Sequence, residues 1–428
     1  MRNTNKKGFT IVELVIVVAV IAILAAVLIP TFSGIIKQAN IASDKAIAKN
    51  LNNALTVAAA EGKEIKEFAD ALEAIHAAGY VVANLNPTTA NYYYAWEKNS
   101  NQIILVNGAD WSVVYQSKDF VNKADSTIAG GTWHIALTDT SVLDGVSGAV
   151  VIPTITAASV NGDAGKITTL FKNNNTIVLN ESVELTKAPV HSDGVKADGI
   201  RLTAPSVLDL NGQTLSATFT TDNYRIFQID KDFNLSNGTI VSVGDGKKGG
   251  LWGVLRTFGG ANVSIKNMQI SYTDTYQRTG SEVPGAILSI TERTNLLIED
   301  TVFYGANTVG MEISNSTATL KNVSFKGIGD EGWLTAGIEV SGNGKIIIES
   351  GKYEAQGDIL YVLPSGGTIE VKGGTFIGGL SVHDVMYDGC EGNIVISGGT
   401  FSVNPTEYLA DGYVANQNAD GMWVVTAK

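Results

Sequence analysis

With 428 residues, a formal net charge of −12 and an isoelectric point near 4.9, the chain is long enough to bury a substantial core. Its acidity argues against nucleic acid as the main partner, because phosphate binding needs a concentrated basic surface. The single cysteine, Cys390, excludes an intrachain disulfide framework, and 46 glycines with only 17% charged residues describe strands and turns rather than helices.

The first eighty residues depart from that composition. Residues 9–29 form an apolar run long enough to cross about 30 Å of hydrocarbon as a helix, with Arg2, Lys6 and Lys7 before it. The positive-inside rule then leaves the short end cytoplasmic and the bulk of the chain outside. One carboxylate, Glu13, stands inside the run. An ionised acid at the bilayer centre costs roughly 2.5–3.5 kcal/mol on insertion scales, less near the interface, so Glu13 needs a partner. A cleaved secretory signal is the plainer meaning of a basic start and an apolar stretch. This run, however, is long, carries an acid and lacks a clean A-x-A site. At Pro30 the loss of one backbone hydrogen bond favours a kink. Beyond it Phe32, Ile35, Ile36, Ala39, Ala42, Ala46, Leu51, Ala54, Leu55 and Ala58 recur at helical spacing, so a long helix is expected over residues 9–62.

The stretch GFTIVEL at residues 8–14 resembles the type IV prepilin signature, and residues 6–60 follow that family's pattern. The resemblance implies a leader over residues 1–8 and a prepilin peptidase that cuts between Gly8 and Phe9 and N-methylates Phe9. It implies that Glu13 meets the new N-terminal ammonium of a neighbouring subunit. An ion pair in low dielectric offsets a cost that neither charge could carry alone, and its role is then register more than net stability. Single-pass anchoring in the cytoplasmic membrane, followed by assembly with other pilin subunits and the pilus machinery into a surface filament, is the expected sequence of events.

Residues 63–79 read as a second amphipathic helix, with Ile65, Phe68, Leu72 and Ile75 on one face and Gly79 as its stop. His76 beside that face has no second ligand candidate nearby. NYYYAW, QIILVN and WSVVYQ, split by KNSN and NGAD, then predict an antiparallel meander. Helix and meander together make a pilin-like head over residues 63–116, in which Tyr92, Tyr93, Tyr94, Trp96 and Trp111 are expected as core rather than as a sugar platform. Residues 117–164, which include His134, carry little pattern and are expected to connect.

From about residue 165 to 404 a repeat appears: LDLNGQTL, FNLSNGTI, VSIKNMQI, LLIEDTVF, ATLKNVSF, IIIESGKY, TIEVKGGTF and NIVISGGTF. Its second apolar residue falls at Leu210, Leu235, Ile265, Ile298, Leu320, Ile348, Val371 and Ile396, between 22 and 33 residues apart. Units of this size cannot close a core alone, but stacked coils can, and the Asn or Gly at the step suits a left-handed corner. The expected fold is an α+β pilin-like N-terminal part followed by an all-β right-handed parallel β-helix, with residues 405–428 as its cap. A β-propeller is the rival, but its blades need about forty residues.

Surplus residues fall at one phase of the repeat, in VGDGKKGGLWG, SYTDTYQRTGSEVPG and KGIGDEGWLTAG. Insertions at one phase stack along one edge. Trp252, Tyr272, Tyr276, Arg278, Asp330, Glu331 and Trp333 are therefore candidates for a ligand-binding edge suited to a carbohydrate or host glycoprotein; tolerated loop drift is the plainer reading. Catalysis is not expected. Asp330 with Glu331, or Glu282 with Asp274, are ordinary loop acids, the four histidines lack catalytic settings, and no metal or cofactor motif is present. The sequence thus points to a pilin-like subunit at a minor or tip position that displays a β-helix. A pseudopilin of a DNA-uptake or secretion machine and a membrane-tethered polysaccharide lyase or hydrolase are the alternatives.

Overall fold

The computed structural model describes residues 11–66, 68–78, 87–119, 133–137, 149–173, 176–189, 199–218, 225–244, 253–275, 285–328, 337–382 and 392–428. Gly8 and Phe9 lie outside these residues. The chain forms two compact units, one mainly within the first 150 residues and one running from residue 151 to the end.

In the first unit, helix α1 (Ile11–Ala60) runs on through Pro30 and Gly34 as a single element. Among the described residues no helix is long and apolar enough to cross a membrane. The side chains of residues 11–14, 19 and 21–33, which make up most of the expected span and include Glu13, are outside that description. Helix α2 (Phe68–Ala77) begins later than its apolar pattern suggested, with the Lys66 amide donating to Asp70 Oδ2 at 2.9 Å just ahead of it. Strands β1 (Tyr92–Glu97), β2 (Gln102–Asn107) and β3 (Ser112–Tyr115) form the antiparallel meander, with Tyr94 opposite Leu105 and Val106 opposite Val113. A fourth strand, β4 (Trp133–Leu137), comes from the stretch expected to be a connector and pairs antiparallel with the free side of β1.

Small residues let α1 approach this sheet closely: Ala48, Ala54 and Ala58 are buried with Leu51 and Leu55. Two polar clamps fix the docking. Asn52 on α1 treats β2 as a neighbouring strand would, donating to the Ile103 carbonyl at 2.7 Å and accepting from the Ile103 amide at 2.8 Å. Asp44, also fully buried, accepts from the Thr88 and Thr89 amides at 2.8 and 3.0 Å and from the Thr89 hydroxyl. Tyr94 and Trp96 are buried in this core, and Tyr93 stacks on Trp111 at 5.5 Å.

The second unit is a stack of parallel strands. Strand β5 (Ala149–Ile155) pairs in parallel with Thr176–Leu179, so the stack starts inside the expected connector. Between them lie α3 (Ala157–Val160), opened by a Thr156–Ser159 capping box, and α4 (Ala164–Asn173). Val160, Ile167 and Phe171 from these helices are buried in the same core as the first coils, covering that end of the stack.

From there the coils are in register, with Leu235, Ile265, Ile298, Leu320, Ile348, Val371 and Ile396 aligned coil by coil. The first unit of the repeat is corrected by two residues, because Leu208 rather than Leu210 pairs with Leu235. Leu215 still meets Ile240, so the surplus is absorbed at the corner, where Asn211 and Gly212 both take positive φ, 53° and 76°. Later corners use Asn237, Asn267, Asp300 and Asn322 at φ between 47° and 61°. Toward the C-terminus they switch to Gly351, Gly374 and Gly399 at φ between 108° and 128°, a region closed to side chains. Corner side chains also bond between coils, Asn267 to Asn237 at 3.1 Å and Asn322 to Asp300 at 2.7 Å.

Inside, one column is aromatic: Phe303, Phe325, Tyr353, Phe376 and Phe401 occupy the same register on successive coils and all are buried. The last three rings stack at 5.0 and 4.9 Å. At the C-terminal end the hairpin of Tyr413–Gln417 and Trp423–Ala427 closes antiparallel on Gly399–Phe401, occupying an edge that would otherwise invite pairing with another chain.

Phe376→Ala removes two ring contacts at once and should destabilise the second unit by about 3–5 kcal/mol, read as a lower urea midpoint for the full chain. Asn52→Leu strands two buried backbone groups of Ile103 and should cost about 1–3 kcal/mol, seen as faster amide exchange in β2 with the second unit's protection unchanged.

Candidate functional site

Two regions carry surface that the fold itself does not use. The first is the N-terminal half of α1. Val15, Ile16, Val17, Val18 and Val20 are all exposed, as are Ile35 and Ile36, and a Cβ added at Gly34 meets nothing within 4 Å. Consecutive exposed apolar residues cover every face of the helix. A helix apolar all round belongs in a membrane or among other helices, since water offers it no stable surroundings. The second half of the same helix is instead held by Asp44 and Asn52, so α1 is anchored at one end and, among the described residues, exposed at the other.

The second region is a row of polar side chains on the outside of the coils. Arg201, Gln228, Arg256, Ser289, Glu312, Glu339, Tyr361 and Ser381 sit in register on successive strands. Each lies between inward-facing residues, apolar except for Thr257 after Arg256, as alternation along a strand requires, and Gln228, Ser289, Glu339 and Tyr361 are themselves buried. Arg201 is tied to Asp230 at 2.8 Å, Arg256 lies over the Phe258 ring at 4.6 Å, and Ser289 donates to Glu312 Oε2 at 2.9 Å. Glu339 is only 8% exposed and has no hydrogen bond or ion pair among the described residues. Burial, and then the neighbouring Glu312 carboxylate, push its pKa up to about 7. Burial also raises Tyr361, helped by the charges of Glu339 and Asp358.

Of the expected ligand-binding edge, Trp252, Tyr276, Arg278, Asp330, Glu331 and Trp333 lie outside the described residues, as does Glu282. Tyr272 is corrected: it is fully buried and belongs to the core. Strand Asn262–Thr273 runs further than the loop reading allowed, so Met268, Ile270 and Tyr272 alternate inward, with Tyr272 in register with Gly305 on the next coil. Asp274, just past that strand, is buried too. The outer row was missed because each of its members stands alone in its strand. The available signal was the shared frame of AILSI, GMEI and GIEV, one polar residue before the last apolar one. Among the described residues no group of three or more His, Cys, Asp or Glu could hold a metal ion.

Comparison with known proteins bears on the first region. A family model described as a prokaryotic N-terminal methylation motif matches residues 3–29. Over 51 residues, 12% of this chain, the sequence is 53% identical to the type IV wide pilus major component PilA4 of Thermus thermophilus. The match spans 37% of that protein, little more than a third of its length. No solved structure matches. These findings give the chain a prepilin-like N-terminus.

Because the folded-state pKa of Glu339 lies above its unfolded value, the stability it contributes is fully present below about pH 4.5 and is lost as pH rises through about 7. Urea unfolding of the full chain at about pH 5 and pH 7.5 should show that loss, on the order of 3 kcal/mol at most, and Glu339→Gln should abolish it.

Proposed function

We propose that the chain is the precursor of a type IV pilin-like subunit, cut by a prepilin peptidase between Gly8 and Phe9 and methylated at Phe9. It is held in the cytoplasmic membrane by residues 9–29 and then drawn into a surface filament with other pilin subunits. The observation that carries this reading is the N-terminal match, 53% identical over 51 residues to a pilus component. The exposed apolar half of α1 supports it: the same surface suits lipid before assembly and neighbouring helices afterwards.

On this reading Glu13 pairs with the ammonium of a neighbouring Phe9 and selects the stagger between subunits. The second unit is payload, binding rather than catalytic. Its bulk is hard to pack at every lattice position, which favours a minor or tip subunit, and the loop residues Trp252, Tyr276, Arg278, Asp330, Glu331 and Trp333 remain its candidate edge for a glycan or glycoprotein.

Glu13→Gln should leave membrane insertion and leader cleavage intact while abolishing filaments. Immunogold labelling of intact cells with antibody to the second unit reads the outcome, and normally labelled filaments from the variant would refute the role.

A further inference from the structure

The outer row has a composition that folding does not require. Strands of a solenoid need apolar residues inward, and any small polar residue serves outside. Here a nearly buried carboxylate without a hydrogen-bond partner, Glu339, stands in register beside a second carboxylate, Glu312, where a single Ser or Thr on each coil would have avoided both desolvation and like-charge repulsion. Three coils back from Glu339, Arg256 carries a buried Nε that also lacks a hydrogen-bond partner. A buried donor at Arg256 and a nearly buried, unbonded carboxylate at Glu339, on one line of register, are positions that a ligand can complete.

We propose that the row Arg256–Ser289–Glu312–Glu339–Tyr361 is a binding strip for a neutral, hydroxyl-rich chain, a linear glycan lying along the axis of the coils. The row repeats at the coil spacing of about 4.8 Å, which suits an extended polymer better than a compact ligand. Its chemistry varies along the line: a donor at Arg256, an acceptor at Glu312 that the buried Ser289 hydroxyl holds in place, an acid at Glu339, and at Tyr361 a ring edge with its hydroxyl. Near neutral pH Glu339 is part protonated, so Glu312 and Glu339 together offer both an acceptor and a donor, which is what a sugar hydroxyl pairs with.

Other ligand classes fit less well. An anion would meet two glutamates on a chain of net charge −12. A divalent cation needs more ligands than the described residues bring together. The groups that face Glu339 are Glu312 from the preceding strand and, from the following one, Tyr361 with Asp358 behind it. Ionisation of Glu339 as pH rises therefore adds a charge beside a charge and removes a donor.

The strip rests on the binding role proposed above and not on assembly, so purified full-length protein in detergent tests it without any filament. Isothermal titration with cellohexaose and chitohexaose is the measurement, with calcium chloride as the competing probe. Binding of at least one hexasaccharide is expected, weakened about tenfold or more by Glu312→Ala and by Arg256→Ala and unchanged by Lys326→Ala on another outer face. Affinity should fall from about pH 5.5 to pH 8 in the wild type but not in Glu339→Gln, which stays neutral, keeps its shape and secures the test against a folding defect. No binding of either sugar at about 1 mM, binding indifferent to Glu312 and Arg256, or saturable calcium binding lost in Glu312→Ala would each overturn the strip. Filament labelling with no sugar binding would overturn the strip alone; sugar binding without filaments would leave it standing and remove the pilin reading.

Discussion

A coil of this solenoid cannot stand by itself, because one turn of chain leaves both backbone edges unpaired and its apolar face open. Stacking in parallel satisfies the edges, and a shared register does the rest. With Leu235, Ile265, Ile298, Leu320, Ile348, Val371 and Ile396 held in one line, every other position is in line as well. That is why phenyl rings 23 and 25 residues apart stack face to face, why corner asparagines bond to one another, and why Lys266, Glu299 and Lys321 alternate in charge on the surface at 3.3 and 3.4 Å. The pairs add little stability each, but a slipped coil would part Glu299 from Lys266 and Lys321, so they favour the register that the core requires.

The first unit obeys a different constraint. Its helix is divided by chemistry: Asp44 and Asn52 satisfy backbone groups of the head and commit the C-terminal half to it, whereas Val15, Ile16, Val17, Val18 and Val20 are exposed among the described residues. None of the described residues buries that half, and a helix apolar on every side is stable in lipid or among like helices. In the function proposed above it meets both in turn.

Much of this was legible in the sequence, for reasons that show where legibility stops. The stacked coils were readable because period-two apolar pairs recur with an αL residue after them, and only the wide Asn211–Gly212 corner displaced Leu210 from the alignment. The meander was readable from β-branched and aromatic runs, but β4, β5 and the capping helices α3 and α4 were not, since short elements that pair or cap at an end carry too few residues for a period to show. Tyr272 was misread because an inward aromatic at the last turn of a strand looks like a loop aromatic until the strand's length is known. The outer row was invisible for the opposite reason: Glu312 and Glu339 are ordinary residues until register places them on adjacent strands.

In the function proposed above the two units divide the work: the apolar rod is what brings the chain to a surface, and the stack of coils, with its polar outer row, is what it presents there. The most direct measurement is intact mass spectrometry of the protein recovered from the cell surface. The account requires a first residue of Phe9 carrying one methyl group, with the remainder of the chain through Lys428 attached; a surface form that retains Met1 through Gly8, or one that lacks the apolar residues 9–29, contradicts it.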